Sequence, residues 1–198
     1  MSPGAQAARM AGLQRRRRQE MGGFSYAEVI IVIAIIGMIN GLTIAFTSSE
    51  WQRERVNGVA LALGGWLEEV RGNALRKTSA TTTAGGCVVT LSSLSGARSG
   101  TDLATVSPAD CATSSTLLIP GVAGNPDRFN IASSNGGTIT FTPRGSVTAT
   151  SDADIRILLA GSGQMRCVRV SAILGLIRVG SNSAATTTAD ACSDYSHF

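Results

Sequence analysis

Apolar positions follow three successive patterns along the chain. From Phe24 to Phe46 they form a nearly continuous block interrupted by Glu28 and Asn40, and from Val29 to Ile39 only Gly37 breaks the run. At about 1.5 Å per residue, 23 helical residues extend about 35 Å, against a hydrocarbon core of about 30 Å, so the block predicts a membrane anchor. Residues 50–77 then change to helical periodicity. Val56, Val59, Ala60, Leu63, Leu67, Val70 and Ala74 fall on one stripe, while Gln52, Arg53, Glu54, Asn57, Glu68, Arg71 and Asn73 mostly fill the other side. Together the two patterns predict one helix from Ser25 to about Lys77, with Trp66 at the edge of a core.

From Ala80 onward the chain turns to Thr, Ser, Gly and Ala with short β-branched runs, the pattern of a sheet with long turns. The predicted strands are Cys87 to Leu91, Thr116 to Ile119, Thr138 to Thr142, Ser146 to Thr150, Asp154 to Ala160, Met165 to Val170 and Ala172 to Val179. Pro143 to Ser146 reads as a hairpin turn, and Leu94 to Ala112 as a loop. The fold class expected is α+β: a long N-terminal helix, hydrophobic in its first half, packed on a C-terminal antiparallel sheet. The domain plan is a leader at 1–23, a hydrophobic half-helix at 24–46 and a globular head at 47–198, whose half-helix is 47–77 and whose loops and sheet are 78–198.

Composition narrows the function. With 198 residues, 43% apolar and 15% charged, the chain can bury a core and does not read as disordered. The sole histidine is His197, which leaves no His-centred triad or multi-histidine metal site. The formal charge of +4 lies entirely in the first 23 residues, where five arginines face Glu20, while the rest holds twelve basic and twelve acidic residues. Without that leader the chain is neutral, so an attraction to phosphate would have to come from a local patch. The tetra-arginine Arg15 to Arg18 ahead of the apolar block predicts a cytoplasmic leader with the head on the other side.

A small-residue cleavage site is poorly defined after the apolar block, and Gly22-Gly23 fits a cut ahead of it better. Glu28 is costly inside a membrane unless neutralised. A cut between Gly23 and Phe24 would create an amine four residues from it, in the same chain or in a neighbour. Gly23, Phe24 and Glu28 together resemble the type III signal of type IV prepilins and type II secretion pseudopilins. The resemblance implies cleavage after Gly23 by a prepilin peptidase, N-methylation of Phe24, a role for Glu28 in filament assembly, and the type IV pilin fold. It departs from the family in having no proline between Pro3 and Pro108, so a bend in the apolar helix would fall to Gly37 or Gly41.

Four cysteines, Cys87, Cys111, Cys167 and Cys192, allow three pairings. Cys87 with Cys111 and Cys167 with Cys192 is the favoured set, the second bond tying a Thr-rich tail to the sheet. The alternative, a four-cysteine zinc site, lacks the close cysteine pairs such sites use, and no cofactor is expected.

TITFTPRGSVT and MRCVRVSAILGLIRVG resemble the GspH/FimT subgroup of minor pilins and pseudopilins, with Phe141 and Gly145 matching one motif and Cys167, Val168, Val170 and Ser171 another. Some members bind DNA through a Gly-Arg-x-Arg turn during natural transformation. Here the turn reads Gly175-Leu176-Ile177-Arg178, with one arginine missing. Arg144, Arg166, Arg169 and Arg178 are the candidate DNA contacts, and with Arg156 they face only Asp152 and Asp154 between residues 144 and 180. Strand alternation puts Arg166 and Arg169 on opposite faces.

The functional expectation is a non-enzymatic minor pilin or pseudopilin that initiates or caps a type IV pilus or type II secretion pseudopilus. The alternative is a pilus-tip DNA-binding subunit of DNA uptake. The partners expected are other pilins or pseudopilins, the prepilin peptidase, the inner membrane and, weakly and non-specifically, DNA. The placement expected is single-pass in the inner membrane with a periplasmic head, before transfer to a surface pilus or periplasmic pseudopilus.

Overall fold

The computed structural model describes residues 24–77, 86–121 and 126–197. The leader at 1–23, with its cleavage position Gly23, lies outside them. One α-helix, α1, covers Tyr26–Arg76 and opens on Ser25. The chain divides into two compact units, Met1–Thr47 and Ser48–Phe198.

Within the second unit, the α1 residues Val56, Val59, Ala60, Leu63, Leu67, Val70 and Ala74 are all buried, and they share one apolar cluster with strands of two sheets. Spacings of three and four residues bring these side chains onto one face, and burying each Leu or Val there is worth about 1.5–3 kcal/mol. Trp66 is buried at the same interface and donates its indole N–H to the Ser114 carbonyl at 3.1 Å, which satisfies the ring's only polar group.

Among the described residues the fold is α+β with two helices, α1 and a 3-10 turn at Ala109–Cys111, and two separate antiparallel sheets. The four-stranded sheet has β4 (Thr116–Leu118), β3 (Asp102–Ser107), β1 (Cys87–Leu91) and β6 (Thr138–Phe141) in that order. The six-stranded sheet runs β10 (Ser193–His197), β9 (Ile177–Asn182), β8 (Met165–Val170), β7 (Ala153–Leu159), β5 (Phe129–Ser133) and β2 (Leu94–Ala97).

This corrects the expectation of a helix on one sheet. Residues 94–112 hold β2 and β3, which belong to different sheets, so the stretch read as a loop is where the chain crosses between them. Local alternation specifies that a segment is extended, but not which edge it joins. Two further strands come out differently. Ser146 to Thr150 reduces to a single bridging residue, Val147, which pairs with both Phe141 and Ile173. The last predicted strand begins only at Ile177, because residues 171–176 form a tight turn with Ile173 at φ 65°.

The membrane placement is also corrected. Among the described residues no helix is long and apolar enough to cross a membrane. The apolar stretch from Val29 to Ile39, free of charged residues, spans only about 16 Å at about 1.5 Å per residue, roughly half of a hydrocarbon core, and Glu28 and Asn40 bracket it. The transmembrane half-helix and the single-pass inner-membrane location are therefore withdrawn.

Candidate functional site

Two regions carry the residues singled out from the sequence. The first is the opening turn of α1. Phe24 is 85% exposed. Ser25 and Glu28 have the spacing of a capping box: the Ser25 backbone N–H donates to Glu28 Oε2 at 3.4 Å, and the Glu28 N–H donates to the Ser25 carbonyl at 2.9 Å. A carboxylate in the first turn also faces the positive end of the helix dipole. Glu28 therefore has a local structural role in starting the helix. Beyond it, Val29 to Val32 and then Ile33, Ile35, Ile36, Met38 and Ile39 are each between 43% and 71% exposed, so the apolar residues of this segment look outward in every direction.

The second region is the six-stranded sheet, where four of the five arginines between residues 144 and 180 lie on three adjacent strands. Arg166 on β8 lies opposite Ile157 on β7 and faces α1, where its Nε donates to Asn57 Oδ1. Burial, and then the nearby Arg53 charge, pull its pKa below the ordinary value. Arg169 faces the other way. It holds Asp154 through Nε and Nη2 at 2.6 and 2.8 Å, with the Tyr195 ring centroid 4.0 Å from its guanidinium carbon. That bidentate bond raises the arginine pKa. Arg178 on β9 lies directly opposite Arg169, and its Nε is buried with no hydrogen-bond partner among the described residues. Arg144 sits apart and exposed, in the turn that follows β6.

The four candidate DNA contacts are thus divided among a turn, the helix-facing side of the sheet and its outer side. Arg156, by contrast, shares the outer face with Arg169 and Arg178. Its alternation with Asp154 along β7 was the sequence signal for that placement. Arg156 Nη1 donates to the carbonyls of Thr188 and Ala189 at 3.1 and 3.4 Å.

Disulfides connect Cys87 to Cys111 and Cys167 to Cys192. The first links β1 to the 3-10 turn. The second links the buried centre of β8 to the segment between β9 and β10, where Leu158, Met165, Cys167 and Ala185 form a second small apolar cluster with Cys192 and Tyr195 against it. All four cysteines are consumed in these bonds. Among the described residues no group of three or more His, Cys, Asp or Glu side chains is placed to hold a metal ion.

No family model, no curated protein and no solved structure matches this chain.

Proposed function

We propose that the protein is a structural subunit of a helix-stacked filament, of the minor pilin or pseudopilin kind, that begins or caps assembly. The observation that supports this reading is the α1 segment from Val29 to Ile39, apolar on all sides and exposed on all sides. A helix of that composition is stable in its working state only when other apolar surfaces cover it. In a filament those surfaces are the same helices of neighbouring subunits. The segment begins five residues after Phe24, and the Gly23-Phe24 junction with Glu28 resembles a prepilin processing signal.

Glu28 serves two successive ends in this reading. In the free chain it caps its own helix. In the filament it neutralises the new amine of Phe24 in a neighbouring subunit. The division of the arginines between faces gives no added support to DNA uptake.

The test is N-terminal mass spectrometry of protein recovered from sheared filaments of cells that make a prepilin peptidase. Its expected result is a chain starting at a methylated Phe24. Glu28→Ala should still be cleaved but should be depleted from filaments at least tenfold. A chain starting at Met1, or equal incorporation of Glu28→Ala, would sink the proposal.

A further inference from the structure

The outer face of the six-stranded sheet is covered by the chain's own C-terminal segment, residues 183–195. This strap rests on arginines through backbone carbonyls and an aromatic ring. Thr188 and Ala189 offer their carbonyls to Arg156, and Tyr195 lies on Arg169 with its hydroxyl 3.4 Å from Asp154 Oδ1. The Asp190 carboxylate accepts from the Thr186 and Thr187 N–H groups at 2.7 and 3.0 Å. These bonds, and least of all the Arg156 charge, hold its pKa below the ordinary value. The strap therefore brings two carbonyl oxygens to Arg156 on a face that also carries Arg169 and Arg178, while its own carboxylate, Asp190, is held within the strap.

The underlying face is unbalanced. Arg169 and Arg178 are directly opposed across β8 and β9, an unfavourable pairing of like charges. Asp154 is held by Arg169 through two bonds and accepts a longer one from the Tyr195 hydroxyl. Three arginines against Asp154 and the nearby Asp152 leave a net charge of +1 around this face. Arg178 Nε has no acceptor among the described residues, which is costly for a buried charged donor. Arg156 and Arg178 stand two strands apart and two residues out of register, about 12 Å along the diagonal, a gap that two long arginine side chains can narrow around one small ligand.

We infer that this face is a latent binding site for a compact dianion of the phosphate class, closed by the strap and opened by reduction of Cys167–Cys192. Apart from the disulfide, the strap is retained mainly by hydrogen bonds: among its described side chains Ala185 is the one that is buried, and β10 meets β9 with a break in register between Ser193 and Ser196. Cys167 is fully buried whereas Cys192 is half-buried, so a dithiol reductant attacks at Cys192. The thiolate forms a mixed disulfide with Cys192 Sγ, and Cys167 Sγ leaves with the bonding electrons and takes a proton. The reductant's second thiolate then displaces Cys192 as a thiol, closing the reductant as a disulfide. Two electrons and two protons pass to the cysteine pair. Cys87 and Cys111 are both fully buried, so their bond is the slower to react. The inference does not rest on the filament reading.

The test uses the full chain, oxidised and after dithiothreitol treatment limited until alkylation and mass analysis show only Cys167 and Cys192 modified. Hydrogen exchange reports the strap, and phosphorus-31 line width during titration with inorganic phosphate reports the site. Exchange across 183–192 should accelerate at least tenfold on reduction while β1 and β8 stay protected, and phosphate affinity should rise at least tenfold. Cys192→Ser should reproduce both effects without reductant, and adding Arg178→Gln should abolish the gain in affinity alone. Unchanged strap exchange would overturn the inference, as would equal phosphate binding in the two states, indifference to Arg178→Gln, or general loss of protection in both the reduced chain and Cys192→Ser.

Discussion

Glu69 shows how one exposed carboxylate can pin a loop to a helix. Its Oε1 accepts from both the Thr113 N–H and the Thr113 hydroxyl at 2.6 Å, and these two bonds hold its pKa below the ordinary carboxylate value. A lowered folded-state pKa means that the charged form is favoured by folding. The resulting stability is present above the unfolded pKa of about 4.3 and is lost as pH falls through the folded value. Glu69→Ala should therefore destabilise by about 1 kcal/mol near neutrality, a figure kept small because the group is largely solvated. Urea titrations should show the difference from the parent shrinking as pH falls below about 4. Arg169 is the more sheltered case. Arg169→Ala strands the Asp154 carboxylate, whose side chain is only 17% exposed, and should cost about 2 kcal/mol in thermal or urea unfolding. Adding Asp154→Ala should restore part of that loss, because the two groups act as a pair.

Turns decide how the elements connect, and Gly145 is the residue on which one of them depends. It lies at φ 71° just after Arg144, donates its N–H to the Thr142 carbonyl at 2.9 Å, and would place a Cβ 2.8 Å from Leu75 Cδ2. Gly145→Ala should destabilise by about 1–2 kcal/mol through backbone strain and displacement of Leu75, as measured by the midpoint of urea unfolding. The Cys87–Cys111 bond acts on the neighbouring sheet. With a separation of 24 residues it should contribute about 3 kcal/mol, so the double substitution Cys87→Ala with Cys111→Ala should lower the denaturant midpoint without changing strand content by circular dichroism. At this scale the sequence was most readable where one period persisted. The stripe from Val56 to Ala74 is buried as a unit, and the bounds Cys87–Leu91 and Met165–Val170 follow from β-branched runs. It was least readable at β2 and β10, the two edges of the six-stranded sheet, because a short or polar edge strand is extended by what it pairs with more than by its own residues.

Across the whole molecule, neutrality beyond the leader and the separation of Arg144, Arg166 and Arg178 lead to one further expectation. The oxidised chain from residue 24 should give no mobility shift with duplex DNA even at about 50 mM salt, where phosphate contacts are strongest. A shift removed by Arg144→Ala with Arg178→Ala would instead restore the DNA-uptake reading. The sequence alone determined the extent of α1, its change from an all-round apolar segment to an amphipathic one, and the opposite facing of Arg166 and Arg169. Each follows from a period of 3.6 or 2 that local backbone geometry imposes. Tertiary structure alone decided that the strands divide into two sheets and that β7 pairs beside β8 and β9, which is what brings Arg156 to Arg169 and Arg178 beneath the tail. Those outcomes depend on which distant edges pair and which buried charges find partners, and a local period carries no information about either.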